Sequence, residues 1–256
     1  MQIISVSGEP IESVDDWLRL APPARGLAHW KDGRSAKELA KAWFASGAAQ
    51  VPDELAALLK SHPATAALKL ESGTPEVVTK LDNYRGAARH HDLVLVGRAA
   101  GVCTLVAVEA KADEPFDDPI AKRLAKSSDG GSNLPQRIDL LCRSIFGRPC
   151  DAALGQLRYQ LLHGVAGTLI EASKQEATQA VFVVHEFLSA GTDPEKAALN
   201  AQDLERFVRT LPGGAAAELR HGQLGGPIMV PGGEFVPVHL PLFVGKVTTW
   251  LDRQTS

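Results

Sequence analysis

Two short apolar runs, Asp92–Gly97 and Thr104–Glu109, constrain this chain more than any other feature. Each is too short for a helix with a core-facing stripe, and both are rich in Val and Leu, the composition of buried strands. Arg98–Cys103 lies between them, with Gly101 available for a tight bend, so the stretch reads as a β-hairpin. A hairpin symmetric about that loop pairs Asp92 with Glu109 at its open end, where directly opposite residues have Cβ atoms about 5 Å apart. Strand side chains alternate faces, so Lys111 points the same way as Glu109 while Ala110 points away.

Two carboxylates and an ammonium thus converge at the end of an apolar hairpin. The two acids repel, and a hard divalent cation such as Mg²⁺ (or Mn²⁺) relieves the repulsion, taking a few carboxylates while keeping several waters. A lysine beside that ion can orient or deprotonate a water, or steady an anionic transition state. The competing reading is plain: Glu-x-Lys is a common tripeptide, and strand ends often carry solvated charges.

The pattern of an aspartate, a gap and Glu-x-Lys, carried by Asp92, Glu109 and Lys111, resembles the core motif of the PD-(D/E)xK nuclease superfamily. His91 precedes the aspartate where the motif has proline, a position that varies widely in the superfamily. The strings SAKELAKAW at Ser35–Trp43 and LRYQLLH at Leu157–His163 are similar to an uncharacterised bacterial family of PD-(D/E)xK-like proteins, a likeness covering most of Trp30–Phe187. The resemblance implies a restriction-endonuclease-like α/β (α+β) core, a mixed central β-sheet flanked by helices. It implies a metal held by Asp92, Glu109 and the backbone carbonyl of Ala110, with Lys111 orienting the attacking water. It also implies a further acid on a helix before the core strands, and polar residues overlooking the site from a helix after them. Glu38 fits the further acid. As the third residue of a capping box opened by Ser35 it is equally explained without a metal, and Glu71, on an edge strand Ala67–Glu71, is its rival. Gln156 and Gln160 fit the overlooking helix, with Gln156 the catalytic candidate that holds water, lysine or phosphate. An ordinary solvent-facing stripe is the alternative.

With 256 residues, 45% hydrophobic and 22% charged, the chain is ample for a real core and ordinary for a globular protein. The formal net charge of −3 gives no global advertisement of nucleic acid, so a nuclease would need a local basic patch. The 3 cysteines, Cys103, Cys142 and Cys150, have no metal-site spacing and suggest reduced thiols in a cytoplasm. The N-terminal stretch has no signal-peptide pattern, and no run approaches the roughly 20 apolar residues of a membrane span.

Along the chain, Ile3–Ser7 reads as a short strand, Ser13–Leu18 as a helix start ended by Pro22-Pro23, Ser35–Ser46 and Pro52–Leu59 as helices, and Val77–Leu81 as a strand. Asp82–His90 is a polar loop whose Arg85, Arg89, His90 and His91 either contact phosphates or form a solvated turn. Ala112–Pro119 is irregular. Ile120–Lys126 carries a small basic cluster of Lys122, Arg123 and Lys126, and Ser127–Asn133 reads as a mobile loop inside one domain. Pro135–Phe146 and Asp151–Gly167 read as helices, the latter with a core stripe of Leu154, Leu157, Leu161 and Val165 beside a polar stripe of Gln156, Gln160 and His163. Ala180–Val184 is a core strand ending in His185-Glu186, Pro194–Thr210 a helix, Leu211–Gly233 a loop, and Val236–Val247 a pair of edge strands. No phosphate-cradling glycine loop, HExxH, GxSxG or internal repeat appears.

The expectation is one α/β domain over residues 1–256, with peripheral N- and C-terminal elaborations around the core. The function expected is Mg²⁺-dependent phosphodiester hydrolysis, with nucleic acid as partner (DNA ahead of RNA), no membrane, and a homodimer left open. The alternative is a nuclease-like fold kept as a binding or scaffold module in a bacterial defence or DNA-processing system. The intact acid–acid–lysine set favours the enzyme, and the acidic balance favours the module or a small substrate.

Overall fold

The computed structural model describes residues 1–24, 26–86, 88–127, 132–213 and 219–251. The chain opens with strands β1 (Gln2–Ile4) and β2 (Pro10–Ile11), then helices α1 (Val14–Leu20), α2 (Ser35–Trp43) and α3 (Asp53–Lys60). A three-stranded meander follows: β3 (Lys69–Thr79), β4 (Arg89–Ala99) and β5 (Val102–Lys111). Helices α4 (Ile120–Lys126), α5 (Leu134–Phe146) and α6 (Tyr159–Lys174) lead to β6 (Gln179–Leu188), and α7 (Pro194–Thr210) leads to β7 (Gly225–Ile228) and β8 (Leu242–Trp250). The fold is therefore mixed α/β, as expected. Of the loop expected at Ser127–Asn133, positions 128–131 lie outside the described residues, as do 214–218 of Leu211–Gly233.

All strands form one sheet in the order β2-β1-β3-β4-β5-β6-β8-β7. The meander is antiparallel, whereas β5, β6 and β8 run parallel. Parallel neighbours need long crossovers. Here α4–α6 supply one and α7 the other. Leu161, Val165, Leu204 and Phe207 from these helices pack with Leu105, Ala107, Phe182 and Val184. On the opposite face, Trp17, Leu39, Trp43, Leu55 and Leu58 of α1–α3 cover Val106, Val108, Val181 and Val183. Strict alternation along β5 and β6 thus feeds two cores, which is why these strands read as continuous apolar runs.

Several expectations change in detail. The hairpin loop is only Ala100-Gly101, both left-handed at φ 49° and 84°, so pairing runs on through Arg98↔Cys103 and Ala99↔Val102. Such a turn matches the twist of its strands. The two short strands expected at Ala67–Glu71 and Val77–Leu81 are one strand, β3, with Pro75 inside it. The pairs given to β1 end at Gly73, so beyond that point β3 has an open edge, where a residue without an N–H is tolerated. The segment Val236–Val247 is not a pair of edge strands: β8 starts at Leu242 and lies between β6 and β7. Finally, Asp151–Gly167 is not one helix. A 3₁₀ turn, Leu154–Gln156, is separated from α6 by extended backbone at Leu157, because the Leu157 carbonyl accepts the Ile120 amide and the Tyr159 amide donates to Asp118.

Candidate functional site

The site lies at the open end of the hairpin and the carboxyl end of β5. The last backbone pair of β4 and β5 is Leu93↔Val108, and one further step in register sets Asp92 opposite Glu109. There the strands part, and the Ala110 amide donates instead to Asp92 Oδ2 at 2.7 Å. Glu109 and Lys111 are buried on the helical crossover face, with Lys111 Nζ 3.2 Å from Glu109 Oε1, while Ala110 faces the other core. Lys111 also lies 5.4 Å from the centre of the Phe116 ring and 3.9 Å from Glu114.

Above the sheet, α6 approaches closely. A Cβ on Gly167 would meet Arg89 Cγ at 2.9 Å and His91 Cε1 at 3.1 Å, and one on Gly164 would meet the Phe182 ring at 3.1 Å. This glycine face lets the first turn of α6 bring Gln160 Nε2 to Glu109 Oε1, while Gln160 Oε1 accepts the Asp117 amide at 3.1 Å. Arg89 completes the set, its guanidinium ion-paired with Glu109 Oε2 in a fully enclosed position.

Burial raises the Glu109 carboxyl, but the charges of Arg89 and Lys111 outweigh it and hold Glu109 below its ordinary range. Asp92, the least enclosed of the three, goes the other way: burial first, and the Glu109 charge second, push its carboxyl up to about 8. Near neutral pH Glu109 is therefore a carboxylate set between Arg89 and Lys111, with Glu114 3.9 Å from the lysine. His91 is buried beside Arg89, and burial with that cation holds it well below its usual range. It is therefore neutral, contacting Thr79 Oγ1 at 3.1 Å, whose hydroxyl donates to Glu171 at 2.6 Å.

The other sequence candidates fall differently. The carboxylate of Glu38 accepts the Gly33 amide at 2.7 Å and Lys41 Nζ at 3.2 Å, and none of its hydrogen bonds reaches Asp92 or Glu109. The capping box does not form: Ser35 is the first helical residue, and its hydroxyl donates to Glu114 at 2.7 Å. Glu71 pairs with Arg98 near the closed end of the hairpin. Gln156 is exposed on the 3₁₀ turn, so of the expected polar stripe it is Gln160 that touches the site. Arg89 and His91 belong to a buried strand end rather than a solvated turn. His185 and Glu186, which the sequence sets at the end of a core strand, are buried inside β6, His185 bonded to Thr249 and Glu186 ion-paired with Lys246.

Sequence reasoning missed Arg89 as a partner of Glu109. It also missed Glu76, left-handed at φ 54° and set opposite Asp92 by the β3–β4 register, whose carboxyl burial raises to about 7, with a further raising contribution from Glu109. An acid beside a proline in a strand-like run was the only available signal for it. Among the described residues no group of three or more His, Cys, Asp or Glu is arranged to hold a metal ion. Among them, too, no helix is long and apolar enough to cross a membrane.

No curated protein and no solved structure matches the chain. One family model does, over residues 10–250, which takes in every element from β2 to β8 and the whole site. The chain belongs to the family described as Domain of unknown function (DUF6946).

Proposed function

We propose that the chain is a metal-dependent nuclease of the PD-(D/E)xK type, hydrolysing phosphodiester bonds in DNA or RNA. The observation that carries this reading is the convergence of Asp92, Glu109 and Lys111 at the carboxyl end of β5, beneath a helix whose Gln160 contacts Glu109. Ligands of open α/β sheets bind beyond the carboxyl ends of their strands. The donor set fits a hard cation through Asp92, Glu109 and the Ala110 carbonyl; burial first, and the Glu109 charge second, keep Asp92 protonated, and a divalent ion beside it would favour the ionised form. Glu38 is left out of this set, since Gly33 and Lys41 engage its carboxylate.

Bound there, Mg²⁺ or Mn²⁺ would supply Lewis-acid stabilisation of charge on the phosphoryl oxygens. Lys111, on the face of Glu109, orients the attacking water. Gln160 and Arg89 fix Glu109, and Arg89 with Lys111 keeps it ionised. The free thiols of Cys103, Cys142 and Cys150 suit a reducing cytoplasm. A second reading, a binding module without turnover, is favoured by one observation: the Arg89 guanidinium occupies the carboxylate a cation needs.

Cleavage of single- and double-stranded DNA and RNA in Mg²⁺ separates the two. The wild type should cut at least one substrate, and Lys111→Ala should cut it about 10²-fold or more slowly. A wild type inert on all four would leave the binding module standing.

A further inference from the structure

Behind the acidic end of the hairpin lies a cavity of about 290 Å³ whose wall includes four arginines, Arg85, Arg89, Arg123 and Arg137, together with Tyr159 and His163. None of the described residues lining it is acidic. The acids that balance these cations stand outside the wall. Asp82 pairs with Arg137, Glu109 with Arg89, and Asp117 with Arg123 at 3.2 Å. Arg89 and Arg137 are buried and fixed by those pairs, whereas Arg85 is exposed and Arg123 partly so, its guanidinium 5.3 Å from the centre of the Tyr159 ring.

Arg89 Nε, Arg123 Nε and His163 Nδ1 are enclosed without a hydrogen-bond partner. Buried polar atoms are nearly always satisfied, so three such atoms around one cavity require an explanation. The arginines also act on the imidazole between them: after burial, Arg89 and Arg123 contribute most to holding His163 well below its usual range. The cavity is therefore lined by forked donors whose balancing acids lie behind its wall, the geometry that suits a phosphate's oxygens. Its volume is at the lower limit of ligand pockets, too small for an extended polynucleotide but adequate for a phosphoryl group with its nearest sugar.

We infer that this arginine-lined cavity is a binding subsite for a phosphate group, free or at the end of a monoester. Arg89 joins it to Glu109, so an anion held here would sit beside the candidate catalytic end of β5. The subsite does not depend on the nuclease reading, because neither metal nor turnover is needed to fill it.

The test is calorimetry in the presence of a chelator, with inorganic phosphate, a 5′-phosphorylated dinucleotide and its 5′-hydroxyl counterpart as probes. Inorganic phosphate and the 5′-phosphorylated dinucleotide should bind the wild type, and the 5′-hydroxyl dinucleotide should not. Arg85→Gln and Arg123→Gln should each weaken binding about tenfold, the double variant more, because each removes a charge-assisted contact. These two are chosen because neither lies in a fully buried pair, and circular dichroism would confirm that both fold. Lys60→Gln, on a distant exposed helix end, should bind as the wild type does. Tighter binding of the dinucleotide than of inorganic phosphate would identify a nucleic-acid terminus as the source of the phosphoryl group, and equal affinity would identify free phosphate. No binding of phosphate by the folded wild type at millimolar concentration, or full affinity in the double variant, would overturn the proposal.

Discussion

The β3–β4–β5 meander carries an Arg–Glu pair toward each end, and the two are chemically alike but physically opposite. Near the turn, Arg98 and Glu71 stand 3.4 Å apart with side chains 59% and 53% exposed. At the open end, Arg89 and Glu109 are 5% and 2% exposed, beneath α6 and beside Asp92 and Lys111. An exposed pair gains little, because water screens it and two long side chains must be ordered. A buried pair gives its partners no alternative to each other, so it fixes geometry even where its net contribution to stability is small. The comparison teaches that this chain concentrates its charge at one end of a hairpin whose other end is ordinary surface. The concentration is positional rather than compositional, since the same residue types occur at both.

The largest expected effect comes from breaking the buried pair on one side only. Arg89→Ala leaves Glu109 enclosed with Lys111 as its remaining cation, and should cost about 3–5 kcal/mol in urea unfolding. A loss below about 1 kcal/mol would mean that water reaches Glu109 and that the open end is not the enclosed site described above.

A smaller effect, visible as a pH trend, should come from Asp92. Its folded carboxyl is raised to about 8, above the ordinary carboxylate value of about 4. Between those pH values the folded state holds a proton that the unfolded state has released, so this group's contribution to stability falls as pH rises. Asp92→Asn removes the penalty. Its stability relative to wild type should therefore improve from pH 5 to pH 8, by on the order of 4 kcal/mol. A difference that stays constant across that range would contradict the raised carboxyl.

The smallest effect is the control for the comparison. Arg98→Ala or Glu71→Ala, at the closed end, should change stability by no more than about 0.5 kcal/mol, and less still in high salt. An Arg98 loss comparable with that of Arg89 would erase the distinction between the two ends.

The hairpin itself was legible because its information is local: short apolar runs rich in Val and Leu, and a glycine at the turn. Asp92 opposite Glu109, and Lys111 beside it, follow from that register alone. What could not be read depends on residues far apart in sequence. The break before α6 arises because Ile120 and Asp118 draw Leu157 and Tyr159 out of helical pairing, which removes Gln156 from the site and leaves Gln160 in it. The capping box at Ser35 is outcompeted by Glu114, 79 positions away. Arg89 reads as part of a polar loop until β5 supplies Glu109 to bury it, and the cavity behind it gathers arginines from three separate segments.

The most direct measurement is a calorimetric titration of Mn²⁺ into wild type, Asp92→Asn, Glu109→Gln and Lys111→Ala. Wild type and Lys111→Ala should bind the ion, because lysine is not a ligand, while the two acid variants should lose binding and cleavage together. A wild type that takes up no Mn²⁺ at millimolar concentration, or a Glu109→Gln protein that binds it as tightly as wild type, would contradict a metal site at the end of this hairpin.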